Sequence, residues 1–151
     1  MKFKKLILFV FVLAAVLVLT GCGGQEADVP ESAGGEAALT LSGAVSEELS
    51  FTMAELESRE DREVDYIGKD GETETYTGVP VNDLLGEAGL QDDASSLVFV
   101  ASDGYEAEVD LAEVQGCGDC VVAFDGDSLR MVMPGFSGKV QVKGVVEIRA
   151  Q

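Results

Sequence analysis

The chain has 151 residues, with 10 Lys and Arg against 28 Asp and Glu, no histidine, and a formal charge of −18. That balance repels polyanions, which excludes binding to DNA, RNA or the headgroups of an anionic bilayer. Its runs of Val, Ile, Leu and Phe fill the modest core of one domain, which excludes an acidic disordered tail.

Lys2, Lys4 and Lys5 precede an apolar run from Leu6 to Leu19, which closes on Leu19-Thr20-Gly21-Cys22. This order is similar to the lipobox of bacterial lipoprotein signal peptides. The resemblance implies cleavage before Cys22 and a diacylglycerol on the Cys22 sulfur. The alternative is an uncleaved membrane helix, but the run is shorter than the roughly 20 residues a bilayer requires. The expected location is the extracytoplasmic face of a cell membrane, held there by acyl chains. Loss of residues 1–21 removes three of the 10 basic residues and none of the 28 acidic ones, giving −21. Residues 25–38 are rich in Gly, Glu, Ala and Ser and lack aromatic residues, which predicts a flexible tether. The expected division is a signal peptide over 1–21, a lipidated Cys22 and tether over 22–38, and a folded domain over 39–151.

Leu39 to Val45 alternates with period two and predicts a strand. Thr52 and Glu55 match a capping box, so a short helix is expected there with Met53 and Leu56 inward. Val64, Tyr66 and Ile67 predict a strand that turns at Asp70-Gly71 into a polar strand over 72–77. Gly78-Val79-Pro80 reads as a break in that sheet, before Val81, Leu84, Leu85 and Ala88 at helical spacing with Gly89 as the stop. Ser96 to Ala101 is an apolar strand, joined through Asp103-Gly104 to the alternating Tyr105 to Val109. One helical turn is expected over 111–114, strands over 121–124 and 129–133 about a turn at Asp125-Gly126, and a last strand over 143–149. Asp125-Gly126-Asp127-Ser128 carries only a fragment of a calcium-loop pattern.

Four segments in order carry a family resemblance: Tyr76-Thr77-Gly78-Val79-Pro80-Val81 on to Leu84-Leu85, Asp103-Gly104-Tyr105, Leu129-Arg130-Met131-Val132-Met133-Pro134-Gly135, and the closing Lys-containing strand Val142-Lys143-Gly144-Val145-Val146-Glu147-Ile148. Together the chain resembles the molybdopterin-binding domain of the sulfite oxidase family over residues 39–149. The resemblance implies an α+β, β-rich fold, a reduced form of that domain with short helices packed on mixed sheet. It also implies a ligand groove at the place the family uses for its cofactor, with Asp103, Tyr105, Arg130 and Lys143 as candidates. Tyr105 as a half-buried hairpin residue and Arg130 as an ion-pair partner are the alternatives. Family enzymes hold molybdenum through a cysteine thiolate upstream of the Gly-Val-Pro segment, and residues 59–67 of this chain contain no cysteine. Absence of histidine removes a further donor and the usual general base near neutral pH. No cofactor is therefore expected, with molybdopterin as the alternative.

Cys117 and Cys120 are the only cysteines besides Cys22. An exported protein permits a disulfide between them; a redox dithiol and a zinc site are the other readings. No Gly-rich phosphate loop or Ser/His/Asp set is present. The expected function is a membrane-anchored, non-catalytic binding or accessory module of an exported redox or solute-handling system, with an extracytoplasmic protein or small ligand as partner. The alternatives are a molybdopterin oxidoreductase with an atypical metal ligand, and a thiol–disulfide redox protein.

Overall fold

Short alternating segments separated by Gly turns become nine strands and three short helices among residues 35–151, which the computed structural model describes. The signal segment, the lipidation of Cys22 and the tether up to residue 34 lie outside the described residues. In chain order the elements are β1 (Ala37–Gly43), β2 (Leu49–Thr52), α1 (Met53–Glu57), β3 (Arg62–Ile67), β4 (Thr73–Pro80) and α2 (Val81–Ala88). Then come β5 (Ser96–Ala101), β6 (Glu106–Asp110), α3 (Leu111–Gln115), β7 (Val121–Asp125), β8 (Ser128–Val132) and β9 (Val145–Ala150).

The strands form two sheets, one of five strands in the order β2-β1-β9-β5-β6 and one of four in the order β3-β4-β7-β8. The first is mixed, because β1 runs parallel to β9 while its other pairs are antiparallel; the second is antiparallel throughout. The fold is α+β and strand-rich, as expected, with its strands divided between two sheets. A single apolar cluster joins Leu39 and Leu41 of β1, Phe99 of β5 and Ile148 of β9 to Val79 of β4, Val122 of β7 and Met131 of β8. Alternation along β7 sends Val121 and Ala123 to the opposite face, where a smaller cluster forms with Val64, Val132, Tyr66 and Tyr76.

Two local expectations are corrected. Gly78-Val79-Pro80 does not break the sheet: β4 runs through Pro80, with Gly78 opposite Ala123 and Pro80 opposite Val121. A Cβ at Gly78 would overlap the Val122 carbonyl and the Ala123 Cα, so glycine here permits a close backbone approach. Leu49–Thr52, expected to lead straight into a helix, first forms the edge strand β2, and Thr52 then serves as N-cap of α1. The capping box itself is present, with the Thr52 side chain accepting from Glu55 N and the Thr52 amide donating to Glu55 Oε2 at 2.8 Å. Helix α2 buries Val81, Leu84, Leu85 and Ala88, each contributing roughly 1–3 kcal/mol by removal from water. Gly89 ends it with φ of 67°, a conformation that favours glycine.

Candidate functional site

Arg130 sits mid-strand in β8 and is 7% exposed. Its alternation phase turns it away from the main core, toward the β3–β4 hairpin. There Nη1 donates to the Tyr76 hydroxyl at 2.7 Å, the guanidinium lies 4.4 Å from the Tyr76 ring centroid, and Asp125 Oδ2 stands at 3.8 Å. The Tyr76 hydroxyl in turn donates to Glu74 Oε2 at 2.6 Å. That bond, which ionisation would break, pushes the Tyr76 pKa above its ordinary 10.0; burial adds to the rise and the Arg130 charge opposes it. Nε of Arg130 is buried without a hydrogen-bond partner.

The chain beyond β8 returns alongside it. Met131 N donates to Val142 O at 2.7 Å, and the Gln141 side chain bonds both the amide and the carbonyl of Met133. This return places Lys143 as the bridge partner of Arg130. A groove of about 660 Å3 opens between the hairpin and the return, lined by Tyr66, Lys69, Tyr76, Arg130, Gln141 and Lys143 with Asp70, Glu74 and Asp125. Lys69 and Lys143 enter no ion pair among the described residues. In a chain with 28 acidic and 10 basic residues, the lining has as many cations as carboxylates. The groove is thus formally neutral in a strongly acidic chain, and its two lysines, free of ion pairs beside a buried arginine, are the groups that could meet an oxyanion.

Of the sequence candidates, Arg130 and Lys143 line this groove. Asp103 and Tyr105 belong to the β5–β6 turn, where Asp103 Oδ1 accepts from Tyr105 N at 3.0 Å and the Tyr105 hydroxyl donates to Lys139 O at 3.0 Å. Sequence reasoning did not single out Lys69 and Tyr66. The Lys69-Asp70-Gly71 turn carried a signal for the hairpin alone.

Cys117 and Cys120 are joined by a disulfide in the loop between α3 and β7. Cys120 is buried and Cys117 half-buried. Asn82 Nδ2, in the first turn of α2, lies 3.2 Å from Cys117 O and 3.3 Å from the Val114 and Gln115 carbonyls. On the other side Arg62 Nη1 donates to Gly118 O and stands 3.8 Å from Asp119. The loop is therefore braced against both β3 and α2.

Residues 67–151, more than half of the chain, match the oxidoreductase molybdopterin binding domain. The chain belongs to that family. Among solved structures it is similar to the sulfane dehydrogenase SoxCD from Paracoccus pantotrophus, with a TM-score of 0.64 and 20% identity. That likeness covers 74% of this chain and 37% of the SoxCD chain, so the domain spans little more than a third of that protein. No curated protein sequence matches it.

The donors present do not fit the metal-bearing part of the family's cofactor. Residues 59–67 offer no sulfur. Both cysteine sulfurs among the described residues are bonded to each other and neither cysteine lines the groove. No group of three or more Cys, Asp or Glu side chains among the described residues has metal-site geometry. The soft thiolate that the family uses for that metal is not offered at the groove.

Proposed function

We infer that this chain is a non-catalytic binding module of the molybdopterin-binding fold, carried on the extracytoplasmic face of a membrane by a lipid at Cys22. It serves an exported redox or solute-handling system, and its groove takes an anionic small ligand or the anionic group of a partner. The observation that carries this reading is the buried Arg130, whose Nε lacks a partner beside Lys69 and Lys143, in a groove without sulfur. The groove keeps the means to hold an anion and lacks the ligand for molybdenum chemistry. A titration of the full chain in detergent with inorganic pyrophosphate, followed by NMR of the Tyr66 and Tyr76 ring signals, tests it. Saturable shifts are expected, weakened about tenfold in Lys143→Gln, which removes one unpaired cation. Absence of saturable shifts at millimolar pyrophosphate and low salt contradicts it.

The half-buried Cys117 beside the buried Cys120 favours a second reading, thiol–disulfide exchange. It predicts that a dithiol reductant opens the Cys117–Cys120 bond, being itself oxidised, and that the freed thiols then reduce a disulfide substrate and re-form the bond, a cycle that Cys117→Ser abolishes.

A further inference from the structure

Strand β6 is the last strand of the five-stranded sheet, paired to β5 on one side only. Ala101 N donates to Tyr105 O at 2.9 Å and Leu111 N to Ser95 O at 3.0 Å, so Tyr105 and Leu111 face β5. Bonded and non-bonded positions alternate across an antiparallel pair. Ala107 and Val109 therefore also bond toward β5. Glu106, Glu108 and Asp110, at the alternate positions of this register, turn their amides outward, away from β5.

A second groove of about 660 Å3 lies beside this edge, between β6 with α3 and the loop carrying Phe136 and Val140. Its charged lining is Glu108, Asp110 and Glu113, and none of the three enters an ion pair among the described residues. Its accessible apolar surface is Ala112 and the half-buried Phe136, while Val109 and Val140, also in the lining, are buried in the core. Phe136, only partly buried, rests on the main core and forms a firm wall. The edge of β8, by contrast, is covered by the return through Val142 and Lys143.

We propose that the open edge of β6 is a docking site for an extended segment of a partner protein in which Lys or Arg alternates with apolar residues. The segment adds as a sixth strand: its backbone bonds the outward amides and carbonyls of Glu106 and Glu108 and the outward amide of Asp110, whose carbonyl serves α3 as N-cap. Its cations pair across the strands with Glu108 and its apolar residues meet Ala112 and Phe136. A second copy of this chain is a poorer occupant, because pairing two β6 edges sets Glu against Glu, and like charges opposite one another are destabilising. The overall negative charge adds long-range attraction for such a segment. The site is separate from the Arg130 groove and does not depend on it.

The probe is a synthetic peptide of alternating Lys and Val, with alternating Glu and Val as control, added to the full chain in detergent. Amide hydrogen exchange by NMR is the readout. Exchange at Glu106, Glu108 and Asp110 is expected to slow about tenfold or more with the Lys peptide and to stay unchanged with the Glu peptide. Glu108→Pro removes an outward amide, which an edge strand tolerates, and is expected to weaken the peptide about tenfold or more. In a Glu108→Lys, Glu113→Lys double variant the preference reverses toward the Glu peptide, and this variant decides the matter if the proline variant does not fold. Three results overturn the proposal: no slowing at these amides with millimolar peptide, slow exchange there before peptide is added, or a concentration-dependent dimer that Glu108→Pro abolishes. The second would assign the edge to the chain itself and the third to another copy.

Discussion

A guanidinium taken out of water loses several kcal/mol of solvation, which its partners must offset. Arg130 has one hydroxyl, one aromatic face and one carboxylate at 3.8 Å, and a buried Nε with none. That residual capacity is what the proposed anion binding at the groove rests on. Arg130 and Lys143 were legible in the sequence as rare cations in late segments of the family pattern. The contact of Arg130 with Tyr76, and the placing of Lys69 in the same groove, were not, because β4 and β8 are brought together through β7, which pairs with both. Elsewhere Glu147 accepts from Arg149 Nη2 at 3.0 Å and Nε at 3.2 Å, and from the Ser42 hydroxyl at 2.6 Å. The Arg149 bonds chiefly, with the Ser42 bond, lower its pKa from 4.5 against the opposing effect of burial. Stability from a lowered carboxylate is present above the unfolded pKa and lost as pH falls through the folded one. Glu147→Gln is thus expected to cost about 1 kcal/mol at neutral pH. In urea titrations at a series of pH values, that deficit closes on acidification below 4.5. A deficit independent of pH contradicts the assignment.

At the scale of elements, capping and turn chemistry were the most legible features. Thr52 with Glu55, Asp70-Gly71, Asp103-Gly104 and Asp125-Gly126 each bound an element where the residues indicate, since these signals act within a few positions. What local chemistry hides is a partner strand. Gly78 looks like a breaker until β7 is set against it, and β2 is too short to show an alternation. Gly78→Ala tests the close approach: the added methyl meets backbone rather than a side chain that can turn aside. A loss of about 1–3 kcal/mol is expected in equilibrium unfolding, as for overpacking elsewhere. A change within about 0.5 kcal/mol, the scatter of neutral surface substitutions, would show that the β4–β7 spacing can widen.

For the molecule as a whole, the fold depends on pairings of high sequence separation: β1 lies parallel to β9, with Thr40 opposite Glu147. No periodicity within a segment specifies such a pairing, so the division into two sheets escaped the sequence even though the α+β class and the family did not. The family's fold is kept while residues 59–67, where the resemblance places the family's thiolate, hold no sulfur, and the described cysteines are tied in a braced disulfide. In the proposed reading this chain keeps the fold without the family's metal chemistry. The most direct test is the molybdenum content and visible absorbance of the full chain, exported and purified from a host that makes the molybdenum cofactor. The account predicts molybdenum far below one atom per chain in a folded, colourless protein. Molybdenum near one per chain, lost on Cys117→Ser or Cys120→Ser, would contradict it.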